Sequence, residues 1–227
     1  MKWIVMGLAA VVAVAVGAWW WEGHRAERAL LAQPVYHVLE QHDAELYRKL
    51  VEEYRLLLRD EVSPEQFTNT ANAGIAEAAT RALGRASEES LLALMNDMLA
   101  TAKKLEHAPD DACFRFWFPL VAGPPDVAHF VDAKSQRHTL DLMGEVIRTA
   151  AESPAPVADP EAVKDDFAAI VNATYEQFGS DAQMIGHADD PRVDRGKVCV
   201  ITISFYQRIL GLPPAKAVNV LRVMAQG

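Results

Sequence analysis

The side chains best suited to chemistry lie close together in the last quarter of the chain: His187, Asp189, Asp190 and Asp194. One imidazole with several carboxylates can hold a divalent cation. Their spacing, however, matches neither an EF-hand loop nor the HExxH motif. Aspartates in loops also cap helices and form Asx turns, and Asp190 precedes Pro191 as a helix-capping residue would. We therefore predict no metal ligand and no cofactor. A small envelope enzyme, possibly metal-dependent and using the His187 loop, is the alternative function.

Other enzyme motifs give no support to catalysis. The chain has no GxSxG, no P-loop and no GxGxxG after a predicted strand. Cys113 could act as a nucleophile, but its neighbours are aromatic, and the adjacent Asp110 and Asp111 would disfavour a thiolate. We predict no catalytic residue, and the sequence favours a protein that is not an enzyme.

The two cysteines, Cys113 and Cys199, lie far apart and form no CxxC motif. In an exported protein an even count of this kind predicts one long-range disulfide. Closing so long a loop would stabilise the fold by about 4–5 kcal/mol in the chain-entropy model. Two buried free thiols are the alternative, because free cysteine is among the most buried residue types.

The compartment is predicted from the apolar segment Trp3 to Trp21, whose nineteen residues carry no charge. That length suits a helix crossing a hydrocarbon core of roughly 30 Å, and three consecutive tryptophans at its end fit the interfacial aromatic belt. A cleaved signal sequence, cut near Ala18, is the alternative. We expect a transmembrane anchor (or signal sequence) over 1–22, a stalk over 23–33 and a helical extracytoplasmic domain over 34–227. This places a single-pass protein in the inner (cytoplasmic) membrane, with its C-terminal domain in the periplasm.

Composition limits the class of protein further. The apolar share of 51% excludes global disorder, and the length after the anchor suits one ordinary domain. A net charge of −9 would repel phosphate backbones, so nucleic-acid binding is not expected.

Helical periodicity recurs throughout the chain, and no β-hairpin signal stands out. A capping residue followed by proline marks three predicted helix starts, at Ser63-Pro64, Asp159-Pro160 and Asp190-Pro191. Ser63 with Gln66 forms a capping box, and Ser87 is a further cap. We predict an all-α fold of about six to eight helices, the first running from Pro34 to about Val62. A buried strand is the alternative for the β-branched segment 198–203.

The apolar cluster from Cys113 to Val121 is interpreted as core. A helical pattern starts near Asp126 and meets a polar stretch, Asp132 to Thr139, where it is exposed or broken. That stretch and the polar loop Gly179 to Asp194 are the predicted recognition surfaces. Ser153 to Pro156 is predicted to be a loop inside a domain.

The segments DACFRFWFPLVAG (Asp111 to Gly123) and KVCVITISFYQRILGLPP (Lys197 to Pro214) resemble an uncharacterised group of small proteobacterial proteins with an N-terminal anchor. Some members of that group are labelled topoisomerase. The resemblance covers only these two segments and implies no site residue. A type II topoisomerase needs an ATPase module and a nucleophilic tyrosine in a basic DNA channel, whereas this chain is short and acidic.

Taken together, the sequence predicts a non-enzymatic interaction module of the cell envelope. The expected partners are the membrane, through the single N-terminal span, and another protein. An assembly subunit and an inhibitor or immunity-type protein both fit this description.

Overall fold

The computed structural model describes residues 26–226, and every regular element in that range is helical. The α-helices that follow helical residues 26–31 are α1 (Pro34–His42), α2 (Ala44–Leu58), α3 (Pro64–Ala82), α4 (Glu88–Leu105), α5 (Ala112–Trp117), α6 (Pro119–Ala122), α7 (Ala133–Glu152), α8 (Pro160–Phe178), α9 (Arg195–Leu210) and α10 (Pro214–Met224). Short 3₁₀ helices lie at η1 (Leu83–Arg85), η2 (Val127–His129) and η3 (Gly179–His187). The all-α prediction is confirmed, although the helices outnumber the six to eight expected.

The predicted anchor over 1–22 and the first three residues of the predicted stalk, 23–25, lie outside the described residues. Among residues 26–226, no helix combines the length and the hydropathy that crossing a bilayer requires. The described residues divide into two compact units, with the boundary between Ala78 and Ala79.

In the first unit, the long helix predicted from Pro34 to Val62 is broken at Asp43. This residue leaves the helical region, with φ −143° and ψ 65°, and its carboxylate caps α2 by accepting from the Leu46 N–H at 3.2 Å. A short polar side chain that competes for backbone donors favours such a break. Gly74 then lets α3 approach α2, because a Cβ there would lie 2.7 Å from Cδ1 of Leu46.

Three predicted helix starts are present as capping hydrogen bonds. Ser63 and Gln66 form the reciprocal capping box, with distances of 2.8 and 3.1 Å. Ser87 accepts from the N–H of Ser90, and Asp159 caps α8 before its first-position proline. Each cap satisfies amides that the first helical turn leaves without partners.

Helix α9 is the centre of the second unit, and the strand alternative for its first half is wrong. It packs against α4, α5, α8, α10 and η3. Its buried side chains cover more than half of its circumference rather than one narrow stripe, which explains why β-branched residues are accommodated there: Val198, Cys199, Ile201, Thr202, Ile203 and Ile209. A helix with neighbours on most sides is selected by packing rather than by intrinsic propensity.

Helices α4 and α7 are joined by a buried polar contact. The hydroxyls of Ser90 and Thr149 lie 2.9 Å apart, and the Ser87 N–H donates to the Thr149 hydroxyl at 3.2 Å. After α7, residues 153–159 form the predicted loop, and the Ala155 N–H donates to the Arg85 carbonyl at 2.8 Å. This loop lies within the second unit.

The polar stretch before α7 is where that helix begins. Asp132 caps it, accepting from the N–H groups of Lys134 and Ser135 at 3.0 Å each. The prediction of a long helix that starts near Asp126 is therefore wrong, because only the short 3₁₀ helix η2 forms there. Asp126 and His129 make an exposed pair with a 2.9 Å separation.

Candidate functional site

The predicted ligand-type cluster lies at the end of η3 and in the turn after it. Asp190 pairs with Arg192 at 2.6 Å, and hydrogen bonding to that guanidinium lowers the pKa of Asp190 to about 2. Asp194 accepts from the N–H of Lys197 at 3.0 Å. Within the described part of the chain, no three His, Cys, Asp or Glu side chains converge as metal ligands would. Of the four predicted ligand-type side chains, Asp190 has a structural role in an ion pair, and Asp194 has one as a hydrogen-bond acceptor at the start of α9.

Asp190 does not cap a helix before Pro191, as the sequence pattern had suggested. Helix α9 begins at Arg195, and Asp194 is its N-cap. Asp190 instead accepts from the N–H of Arg192 at 2.9 Å, two residues further on. Aspartate forms such Asx turns readily, so the proline here belongs to a turn and not to the first turn of a helix.

The predicted disulfide joins Cys113 in α5 to Cys199 in α9, with the Cα atoms 5.8 Å apart. Both residues are buried. The buried side chains around it come from α4, α5 and α9: Leu99, Ala102, Leu105, Ala112 and Ile203. The bond therefore lies within the apolar core and links its central helix to α5.

An aromatic stack covers one side of this cluster. The rings of Trp117 and Tyr206 lie 4.6 Å apart and almost parallel, at 4°. Burial raises the pKa of Tyr206 above its ordinary value. Trp117 and Tyr206 both pack against the disulfide cluster, so the stack forms part of the apolar surroundings of the bond.

The segment from Cys113 to Val121 is core only in its first half. Phe114 is buried, whereas Leu120 is 101% exposed and Val121 is 43% exposed. The change occurs because α5 ends at Trp117 and Pro119 starts the short α6, which carries Leu120 into solvent. The interpretation of this whole run as core was therefore wrong for its last two residues.

Helix α8 carries apolar side chains over a wide arc. Val163, Ile170 and Thr174 are buried. Phe167 and Tyr175 are 37% and 40% exposed. At about 100° per residue they lie about 40° and 120° from Val163, so the exposed face adjoins the buried one. Phe167 also contacts Phe205 of α9, with the ring centroids 6.1 Å apart.

Two grooves run along that exposed face and meet at Phe167. One has a volume of about 520 Å³ and lies between α8, η3 and Phe205 of α9; its α8 wall includes Val171 and Tyr175. The other, of about 460 Å³, lies between the start of α8 and the end of α10. His187 lines the larger groove. The predicted recognition loop Gly179 to Asp194 therefore forms one wall of a groove.

The other predicted recognition surface, Asp132 to Thr139, is the first part of α7 with its cap. Its last residue, Thr139, donates to the carboxylate of Asp97 in α4 at 2.6 Å. This contact fixes the start of α7 against α4.

The segment that contains α8 and η3 is strongly acidic. The segment 159–194 contains nine Asp or Glu and two Lys or Arg, so it carries a net −7 of the chain's −9. Four of its carboxylates pair with cations: Glu161 with Lys164, Asp166 with Lys216, Asp181 with Lys197, and Asp190 with Arg192. Asp165, Glu176 and Asp189 are exposed. None of the three lines either groove; the acidic and basic lining residues are Glu161 and Lys164, which pair with each other.

None of the apolar residues of α8 was singled out in the sequence analysis. The signal was available in their spacing. On a helical wheel with about 100° per residue, positions 163, 170 and 174 lie within about 40° of one another, and positions 167, 171 and 175 extend the same arc in steps of about 40°. An apolar arc wider than one contact face indicates either deep burial or an uncovered surface.

Comparison with known proteins adds no relative. No protein-family model matches the chain, and searches of curated proteins and of solved structures gave no significant match. The resemblance to the proteobacterial group stays a prediction.

Proposed function

We propose that this protein is a membrane-anchored, extracytoplasmic helical module that binds another protein through the exposed face of α8. The observation that carries the proposal is the pair of grooves meeting at Phe167, with Tyr175 at the far end of the larger one. Aromatic side chains are enriched in protein interfaces because they bury a large area at low entropic cost. Exposed apolar surface of this kind is typical of interaction sites.

The membrane anchor and the periplasmic location are part of the same proposal. The uncharged segment Trp3 to Trp21 supports an anchor. The disulfide between Cys113 and Cys199 supports an oxidising compartment, because structural disulfides persist there and are rare in the cytosol. The function is that of an interaction module of the envelope rather than of an enzyme.

Site-specific photocrosslinking in intact cells tests the binding role. A photoreactive amino acid at Phe167 or at Tyr175 should give a discrete adduct with one protein. The same group at the exposed Lys103 of α4 is the matched control. An adduct pattern that is identical at all three positions, or absent at the two α8 positions, would contradict the proposal.

Thiol trapping tests the compartment. When cells are quenched in acid and alkylated, both cysteines should resist a maleimide until reductant is added. If both react without reductant, and the protein fractionates with the cytosol, the proposed location is wrong.

A further inference from the structure

The connection between α5 and α7 contains a short apolar protrusion, residues 118–125, which we call the α6 protrusion. We infer that it rests in the interface of a zwitterionic lipid bilayer and gives the anchored chain a second contact with the membrane. The inference rests on the proposed function in one respect, the membrane anchor, and is independent of the binding role of α8.

Exposed apolar side chains are concentrated in this connection. Leu120 is 101% exposed and Val121 is 43% exposed, and Phe130, just after η2, is 37% exposed. Three of the eight exposed large apolar side chains among residues 26–226 therefore lie within residues 118–132. Single exposed apolar residues are ordinary on a protein surface, whereas such a concentration indicates an interaction site.

The α6 protrusion has an inner and an outer side. Phe118 and Ala122 pack against the buried cluster that contains Phe114. Leu120 lies on the opposite, outer side, and Gly123 with φ 73° turns the chain after α6. A protruding apolar side chain can enter the boundary between headgroups and acyl chains without a matching pocket.

The N–H groups of the α6 protrusion need little water. Three of its eight residues are prolines, which have no N–H. The N–H groups of Val121 and Ala122 donate to the Phe118 carbonyl at 3.0 and 3.2 Å, and the Phe118 N–H donates to the Phe114 carbonyl at 2.8 Å. Six of the eight positions thus have no N–H that requires a bond from solvent.

Arg115 of α5 satisfies two carbonyls at the far end of the α6 protrusion. Its guanidinium donates to the Gly123 carbonyl at 3.3 Å and to the Pro124 carbonyl at 2.6 Å. Unsatisfied backbone groups are what keep irregular segments out of lipid. These bonds therefore lower the cost of moving the α6 protrusion from water into the bilayer interface.

The charge distribution favours a lipid surface without net charge. Residues 116–125 have no charged side chain, in a chain whose net charge is −9. Anionic lipid would repel the acidic remainder of the chain. The ion pairs close in sequence to the cluster beneath the α6 protrusion are neutral as pairs: Asp111 with Arg195, and Asp190 with Arg192.

The proposed anchor keeps a bilayer within reach. Trp21 is the last residue of the uncharged segment, and the described residues begin at residue 26. Five residues span at most about 18 Å when fully extended, so the body would be held close to the membrane surface. At the high effective concentration that such a tether gives, a small apolar contact is enough to rest on lipid. A pocket in a partner protein has no comparable support.

Lipid photocrosslinking tests the contact in the full chain, held in phosphatidylcholine nanodiscs. A diazirine-bearing amino acid replaces Leu120, and in the control protein it replaces Val157, which is 64% exposed in the loop before α8. Intact-protein mass spectrometry after irradiation measures the phosphatidylcholine adduct. We expect at least about fivefold more adduct at position 120, since burying one leucine side chain favours the buried state by about tenfold or more.

A charge placed beside the probe tests whether the contact is apolar. With the diazirine at position 120, Val121→Asp should lower the lipid adduct by about threefold or more, because a carboxylate is costly to remove from water. Val157→Asp with the same probe is the matched control and should leave the adduct unchanged. Circular dichroism and the urea midpoint confirm that each variant is folded.

Several results would overturn the inference. Equal adducts at positions 120 and 157 would do so, as would an adduct at position 120 that Val121→Asp does not lower. In intact cells, a crosslink from position 120 to another protein in place of lipid would assign the α6 protrusion to that partner, and a crosslinked dimer would assign it to a second copy.

The same experiment separates this inference from the proposed anchor. If neither the nanodiscs nor the cell membranes retain the chain, the anchor is wrong and the inference fails with it. If the membranes retain the chain but no lipid adduct forms at position 120, the anchor stands and only the contact of the α6 protrusion is wrong.

Discussion

The surroundings of the disulfide and the outer face of α8 are both apolar, yet only the first is enclosed. Cys113 and Cys199 are buried in a cluster of side chains from three helices, and the Trp117–Tyr206 stack packs against that cluster. Along α8, Phe167 and Tyr175 remain more than a third exposed. We expect the enclosed region to contribute more to the stability of the second unit than the open region does. The exposed apolar surface of α8 supports the binding role proposed above.

Among the variants that test this comparison, removal of the disulfide should change the free energy of unfolding most. Replacing both Cys113 and Cys199 by alanine should lower the free energy of unfolding by about 4 kcal/mol, since the bond closes a long loop in the unfolded chain. Urea denaturation of the two proteins measures the difference. An unchanged midpoint would mean that the bond adds nothing to the enclosed region.

A pair of matched aromatic truncations sharpens the comparison directly. Phe114→Ala removes a ring that is 1% exposed and should cost about 3–5 kcal/mol. Phe167→Ala removes the same atoms from the open face and should cost less than about 1 kcal/mol. The urea midpoints of the two variants, each compared with that of the wild type, measure the two losses of stability. Equal losses would show that α8 depends on its outer face for stability, which would weaken the case for binding.

The smallest effect is the response of the enclosed region to alkaline pH. Burial raises the pKa of Tyr206 in the folded state. The resulting stability is complete below the unfolded value near 10 and falls as pH rises from there towards the folded value. The wild type should therefore lose stability faster than Tyr206→Phe between pH 9 and pH 11, by on the order of 1 kcal/mol or less. Parallel curves for the two proteins would contradict this.

Much of the fold could be predicted because its signals are local. The capping box of Ser63 and Gln66 and the cap-proline pair Asp159-Pro160 depend only on residues within one turn, and both are present. The same type of pattern gave a wrong prediction at Asp190-Pro191. There the Asp190 carboxylate pairs with the Arg192 guanidinium and accepts from the Arg192 N–H in a turn, instead of capping a helix. A local pattern predicts a helix start only when no neighbour competes for its polar side chain.

The exposed face of α8 was harder to predict, because its exposure depends on which other elements pack against the helix. The exposed Leu120 and the exposed Phe167 have the composition of core residues. Only the three-dimensional arrangement shows that α6 turns outward and that Phe167 and Tyr175 of α8 remain more than a third exposed. Sequence patterns report how apolar a surface is, whereas exposure depends on contacts between residues distant in sequence.

The loop at residues 153–159 and the disulfide together determine how the protein would respond to a protease. Val157 in that loop is 64% exposed, so we expect limited digestion to cut there. The loop lies between the two cysteines in sequence, and a single cut there would leave two fragments still covalently joined. Such a clipped form would migrate as one species without reductant and as two with it, and its α8 would stay attached to the core through Cys199.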